Sequence, residues 1–259
     1  MHTILKLPSS YIGIFILLCS LCFGCDKKAL QEAHTPVSSK TLIASADVSF
    51  FPEIEMSNPV FYNSNGIATP FLDILKNAGI NTLRVRLWVN PKSVHSSLEE
   101  VQEFTERAKI KGFKIWLNLH YSDTWAHPGQ QQTPTNWQAL SFKELTTQLI
   151  NYTQNVVAQI QPNYLQIGNE LNTGFLHPHG AISTQPEQFK SLLASAIQAA
   201  KNVNPNIPIF LHHAGLTNAN YFFETVSNLN YDAMAISYYP LWHGKDWRTF
   251  FETLNTLSR

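Results

Sequence analysis

The sequence predicts an α/β protein built as a (β/α)8 TIM barrel, with about six of the eight βα units present in the chain. Apolar, β-rich runs alternate with segments of helical period along residues 42–259. The first predicted strand is followed by Ala46 to Pro52, which contains no G-x-G-x-x-G motif, and the chain has no P-loop motif. A doubly wound sheet, the alternative α/β architecture, binds nucleotides at such a turn. The barrel is therefore favoured.

The first 25 residues are typical of a signal peptide. Lys6 precedes an apolar run from Tyr11 to Phe23 that is short for a membrane span. The run leads into Gly24 and Cys25, which resemble a bacterial lipoprotein signal with Cys25 as the lipidated residue. An ordinary cleaved signal peptide is the alternative. We expect an exported protein, either anchored at the cell surface through its lipid or secreted.

Residues 26–41 are polar, include Pro36, and are predicted to form a flexible tether to a barrel domain at 42–259. All three cysteines, Cys19, Cys22 and Cys25, lie in the leader, so the barrel domain has no disulfide candidate. Lys plus Arg and Asp plus Glu both total 18, and no basic stripe is visible. Nucleic acid is therefore not an expected partner.

Six strand and helix pairs are predicted from the alternating pattern. The fourth helix has Pro186 near its start, where a missing N–H is harmless, and the second has Ser97 as its N-cap. The strands are expected at 42–48, 83–88, 115–119, 164–168, 209–211 and 233–237. The helices are expected at 70–77, 97–111, 142–160, 186–202, 218–227 and 246–257.

Polar and aromatic side chains follow the predicted strands, where a barrel carries its active site. Aromatic faces stack on pyranose rings, while amides, imidazoles and guanidinium groups bind hydroxyls. This composition predicts a sugar-binding site. The residues are Asp47, Ser49, Arg84, Arg86, Trp88, His120, Tyr121, Asp123, Trp125, Asn169, Glu170, His212, His213, Tyr238, Tyr239, Trp242 and His243.

Glu170 is the predicted general acid. The apolar strand that ends at Gly168 places this carboxyl group in the mouth of the barrel, and burial there would raise its pKa. A solvated glutamate at the start of a loop is the alternative. The surrounding polar and aromatic residues favour catalysis.

Three further expectations concern Arg86, His120 and metal ions. Arg84 and Arg86 share one face of their strand, so Arg86 is placed to orient a carboxylate, with a structural ion pair as the alternative. His120 is equally compatible with a donor to a sugar hydroxyl and with a structural histidine. No metal or cofactor is expected, because H-E-x-x-H is absent and His212 and His213 should project to opposite faces of a strand.

The sequence resembles the family 53 glycoside hydrolases, the endo-β-1,4-galactanases of a clan of retaining barrel enzymes. The resemblance runs through most of the chain. It is specific because many motifs match in the same order. It is carried by the motifs at 46–49, 61–62, 66, 84–91, 120–129, 166–170 and 237–244.

The resemblance implies a role for each site residue. Glu170 would be the acid/base and Asn169 would bind the sugar 2-hydroxyl. Another group would surround the nucleophile, and a third would line the glycone side of the cleft. The group around the nucleophile is Arg86, His120 and one of Tyr238 and Tyr239, preferably Tyr239. The glycone side is Asp47, Trp88 and Trp242.

The resemblance also implies that the nucleophilic glutamate follows a seventh strand, whereas this chain ends at Arg259. We therefore expect an endo-acting retaining hydrolase of β-1,4-galactosidic bonds in pectic galactan and arabinogalactan that is inactive as this chain alone. A surface glycan-binding lipoprotein that has lost catalysis is one alternative. A related β-glycanase acting on mannan, xylan or glucan is the other. The expected partners are the polysaccharide and, through a lipid anchor, the membrane.

Overall fold

The structure is a computed structural model that describes residues 42–258. The predicted signal peptide, the tether at 26–41 and the lipidation site Cys25 lie outside the described residues. Within the described region, none of the helices combines the length and the apolar character that a membrane crossing needs. The described region covers nearly all of the predicted barrel domain.

Six parallel strands form one sheet in sequential order from β1 to β6. Each strand pairs with the next one along the chain, so the order never reverses. A doubly wound sheet reverses its strand order at the ligand site, whereas a barrel does not. The order confirms six consecutive units of a (β/α)8 barrel. The strands are β1 (Ser45–Asp47), β2 (Thr82–Leu87), β3 (Lys114–Leu119), β4 (Tyr164–Ile167), β5 (Ile209–Ala214) and β6 (Ala233–Ser237).

Helices follow every strand, and the predicted caps are present. The Ser97 side chain accepts a hydrogen bond from Glu100 N at the start of α3, and Pro186 begins α5. The short helices α1 and α7 were not predicted, because four or five residues carry no readable helical period. The helices are α1 (Phe51–Glu55), α2 (Phe71–Asn77), α3 (Leu98–Ile110), α4 (Phe142–Ile160), α5 (Pro186–Val203), α6 (Ala219–Thr225), α7 (Pro240–His243) and α8 (Trp247–Leu257).

Two strands, β1 and β5, have an end that differs by three residues from the prediction, and the ends of the other strands agree to within one residue. The strand β1 begins at Ser45 instead of residue 42, and just before it Ala44 N donates to the Asn81 side chain at 3.2 Å. The strand β5 continues past Leu211 to Ala214 and pairs with β6 over its last residues. Two successive histidines interrupt the apolar pattern there and hide the continuation of the strand.

Alternation along β2 separates the two faces of the barrel wall. Leu83, Val85 and Leu87 are at most 2% exposed and belong to the hydrophobic core. Arg84 and Arg86 alternate with them and therefore face the barrel interior. The confirmed alternation puts both arginine side chains on the same face of β2, as predicted.

The amino-terminal part of the barrel interior is aromatic. The ring of Phe210 on β5 lies 4.5 Å from that of Trp116 on β3 and 6.0 Å from that of Tyr164 on β4, measured between centroids. A hydrogen-bonded layer of polar side chains lies nearer the carboxyl ends of the strands and consists of Arg84, Asn118, Gln166, Asn169 and His212. The aromatic rings thus form a floor beneath a polar layer.

Candidate active site

Asn169 is the central residue of the polar layer. Its side chain is 6% exposed, and its Oδ1 accepts hydrogen bonds from Arg84 Nη2 at 3.0 Å and from Asn118 Nδ2 at 3.1 Å. Its Nδ2 donates to Ala126 O at 2.8 Å. The residue joins β2, β3 and β4, so the loop after β4 is tied to the barrel wall at this point.

Glu170 follows Asn169 directly, at the carboxyl end of β4. Burial raises the pKa of its carboxyl group above the usual glutamate range, and the charges of His127, Arg84 and His243 only partly oppose this effect. The protonated carboxyl group therefore persists to higher pH than in an exposed glutamate. This is the property that a general acid requires.

Arg84, which the sequence places at the barrel mouth without a role of its own, holds the site together. Its Nη1 forms an ion pair with Asp47, and its Nε and Nη2 donate to Gln166 Oε1 at 3.2 and 3.1 Å. Together with the bond to Asn169, these contacts join three strands. The alternation along β2 predicts that both arginines face the barrel interior. It does not predict which of the two lies beside Asn169.

Arg86 lies under aromatic rings instead of beside Asn169 or Glu170. Its guanidinium carbon is 4.0 Å from the ring centroid of Phe50, 4.6 Å from that of Trp88 and 4.4 Å from that of Trp125. Burial lowers its pKa, against the opposing charges of nearby carboxylates. Its Nε donates to Ser96 Oγ at 2.9 Å, and the alternative ion pair is not seen for Arg86 among the described residues. Arg86 instead supports the aromatic cluster.

Asp47 is only partly available to a ligand. One of its carboxylate oxygens accepts from Ser49 N at 3.0 Å and from Ser49 Oγ at 2.6 Å, while the other pairs with Arg84. Its side chain is 44% exposed. The residue is thus fixed in orientation at the end of β1, with one side open to solvent.

Both nitrogens of His120 face protein groups. Nδ1 accepts from Ala126 N at 3.1 Å, and Nε2 lies 3.0 Å from Asn118 Nδ2. Burial, reinforced by Arg84 and Arg86, lowers the pKa of this imidazole well below its ordinary value. Of the two alternatives for His120, this geometry matches the neutral structural histidine better than a direct sugar ligand.

His212 on β5 contacts the backbone of Glu170. Its Nδ1 lies 3.1 Å from both Glu170 N and Asn169 Oδ1, and its Nε2 lies 2.8 Å from Ser237 Oγ. Burial, aided by Arg84, lowers the pKa of His212 to about 3. The adjacent His213 packs against Phe222 of α6, which confirms that the two histidines project to opposite faces.

Exposed aromatic rings border the mouth of the barrel. Trp125 is 44% exposed, and Trp88 is half-buried beside it, with ring centroids 6.1 Å apart. On the β6 side, Tyr239 and Trp242 are 49% and 73% exposed and lie 5.3 Å apart. Such rings offer free faces to a pyranose.

Tyr238 differs from its neighbour Tyr239. Its hydroxyl donates to Gly244 O, and its ring packs 4.6 Å from that of Phe250 on α8. Tyr239 instead lies beside His243, whose charge acts on Glu170. Tyr238 lines an apolar groove of about 850 Å³ along β6 and α8.

A polar groove of about 680 Å³ adjoins Trp88 between the loops after β2 and β3. Asp123 joins the two loops, because its carboxylate accepts from Asn90 N at 3.1 Å and from Thr135 N at 2.8 Å.

Across residues 42–258, no cluster of three or more histidine, cysteine or acidic side chains has the arrangement of a metal site.

Comparison with known proteins places this geometry in one family. The model for "Glycosyl hydrolase family 53" matches residues 43–259. The chain is 33% identical to "Endo-beta-1,4-galactanase" of Bacillus subtilis over 224 residues, covering 80% of this chain and 51% of that protein. It is 33% identical to "Arabinogalactan endo-beta-1,4-galactanase A" of Emericella nidulans over 225 residues, covering 81% and 64%.

A solved catalytic domain of this family from Ignisphaera aggregans superposes with a TM-score of 0.78 at 37% identity, covering 83% of this chain and 64% of that one. The chain thus spans between about half and two thirds of the length of these relatives. The family match extends over all six βα units and includes every residue of the polar layer. The chain belongs to glycosyl hydrolase family 53.

Proposed function

We propose that the protein is the acid/base-bearing part of an endo-acting retaining hydrolase of β-1,4-galactan. The observation that supports this best is Glu170, a partly buried carboxyl group with a raised pKa at the mouth of the barrel. Relatives named as endo-β-1,4-galactanases support the choice of substrate. Glu170 would protonate the leaving glycosidic oxygen and then activate the incoming water.

The residues around Glu170 would bind the sugar. Asn169 keeps one Nδ2 hydrogen on Ala126 O and would turn the other toward the 2-hydroxyl group. The exposed faces of Trp125, Tyr239 and Trp242 would stack on successive galactose rings. An open cleft bordered by such rings suits internal positions of a long chain, which is what endo action requires.

Retention of configuration requires a second carboxylate about 5 to 5.5 Å from the first. The charges that act on the carboxyl group of Glu170 come from His127, Arg84 and His243. Asp47 is paired with Arg84, and Asp123 accepts hydrogen bonds from Asn90 N and Thr135 N in the loops. We therefore propose that the 259-residue chain binds galactan without hydrolysing it. A glycan-binding protein without catalysis is the second candidate for the same reason.

A panel of polysaccharides tests this function. The purified chain, with β-1,4-galactan, β-mannan, xylan and β-glucan, should bind galactan at least about tenfold more tightly than the others, equivalent to about 1.4 kcal/mol. Reducing ends should not rise above the blank. Trp125→Ala should weaken binding, while Trp247→Ala, an exposed ring on α8, should not. Preference for another glycan contradicts the substrate, and hydrolysis with retention contradicts the absence of a second carboxylate.

We also propose that Cys25 carries a lipid anchor, because Gly24 and Cys25 close an apolar run and precede a polar segment. Cys25→Ser should move the protein from the membrane fraction to the soluble exported fraction of the producing bacterium. Cys19→Ser is the matched control and should leave the distribution unchanged. Equal membrane association of Cys25→Ser and the parent would argue for ordinary secretion.

A further inference from the structure

The turn that carries Glu170 has an unusual backbone. Glu170 adopts the left-handed conformation, with φ 50° and ψ 60°, and Gly168 two residues earlier also has a positive φ of 74°. Left-handed backbone suits glycine but is disfavoured for a residue with a Cβ atom. Such a conformation persists only where neighbouring groups hold it.

Gln131, in the loop after β3, contacts this turn through a single nitrogen. Its Nε2 donates to Asn169 O at 2.8 Å and to Glu170 O at 2.9 Å. The side chain is 3% exposed, so water does not compete for these two carbonyl groups. A primary amide has two hydrogens on one uncharged nitrogen, which is what two converging carbonyl oxygens need.

Gln131 is itself held in place. Its backbone carbonyl oxygen accepts from His177 N at 2.8 Å. The next residue, Gln132, forms an isolated parallel bridge with His177. On the other side of the turn, Glu170 N donates to His212. The turn is thus fixed at its N–H group by β5 and at its carbonyl groups by the loop after β3.

We propose that Gln131 is a positioning residue for the acid/base carboxyl group of Glu170. It acts by keeping two successive carbonyl groups on one side of the turn, so that the Glu170 side chain leaves the backbone toward the barrel mouth. This inference rests on the proposed role of Glu170. Arg84, His127 and His243 are the charged or titratable groups that act on the same carboxyl group.

NMR on the 259-residue chain tests the proposal with a matched pair. Gln131→Met removes both donors without adding charge, and Gln159→Met makes the same change on the exposed surface of α4. Gln131→Met should move the Cα and Cβ shifts of Glu170 away from left-handed values. It should also lower the carboxyl pKa toward that of an exposed glutamate. Gln159→Met should change neither, and unchanged Glu170 shifts in Gln131→Met would overturn the proposal.

A measurement on the unmutated chain covers the case in which Gln131→Met does not fold. Both side-chain amide protons of Gln131 should exchange with solvent much more slowly than those of Gln159. Equal exchange rates would contradict the proposal. These readouts do not depend on turnover, so failure to bind galactan would remove the proposed function and leave the effect of Gln131 on the Glu170 backbone as a separate result.

Discussion

Glu170→Gln should slow hydrolysis of β-1,4-galactan by about 10²- to 10⁴-fold in any form of the protein that turns this polysaccharide over. The amide keeps the shape of the side chain but has no proton to give to the leaving oxygen. Binding should persist, because the contacts of Asn169 and the aromatic rings are unchanged. Steady-state rates on galactan, measured beside the surface variant Glu224→Gln, check the size of the loss.

The choice of substrate separates this role from a structural one. An activated aryl galactoside needs little protonation of its leaving group, so its glycosylation step should be nearly unaffected by Glu170→Gln. Added azide should then restore the second step by replacing the water that Glu170 would activate. Galactan hydrolysis within about threefold of the parent, far below the usual contribution of an acid, would remove Glu170 from that role.

Gly174→Ala should destabilise the barrel by more than about 4 kcal/mol, enough to prevent folding in many domains. A Cβ atom at this position would lie 1.9 Å from Gly180 O, and the φ of 97° is strained for any other residue. The two glycines allow the loop after β4 to close on itself, with Phe175 N donating to Gly180 O at 3.1 Å. That loop continues directly from the turn of Glu170.

Gly66→Ala is the matched control for Gly174→Ala. Gly66 also has a positive φ, of 73°, but a Cβ atom there would meet nothing within 4 Å. Only the cost of the left-handed backbone conformation should remain, which lowers the free energy of unfolding by about 1 to 2 kcal/mol. Urea denaturation of both variants, or their soluble yields, measures the difference. Similar stability of the two alanine variants would show that the loop can relax around the Cβ atom.

The barrel was predictable because its signal is periodic. Apolar strands and amphipathic helices repeat six times, and the observed α4, at Phe142–Ile160, has the predicted bounds. The end of β5 was missed because His212 and His213 are polar yet stay paired with β6. Periodicity therefore identifies elements well, and fails where polar side chains occupy successive strand positions.

The sequence predicts which types of residue follow the strand ends, but it does not predict most of the individual contacts between them. Glu170 and Asn169 follow a strand directly, so their place was readable. The choice between Arg84 and Arg86 depends on depth in the barrel, which alternation does not encode. Gln131 meets Glu170 across 39 positions of sequence, and nothing local marks a buried amide in a loop.

Chemical-shift mapping of the 259-residue chain with β-1,4-galactotetraose tests most directly whether the barrel mouth around Glu170 binds β-1,4-galactan. We expect saturable shifts in the loops after β3 and β4, centred on Asn169 and Glu170, with Trp125 among the affected residues. An absence of shifts in these loops, or shifts confined to the groove along β6 and α8, would contradict it.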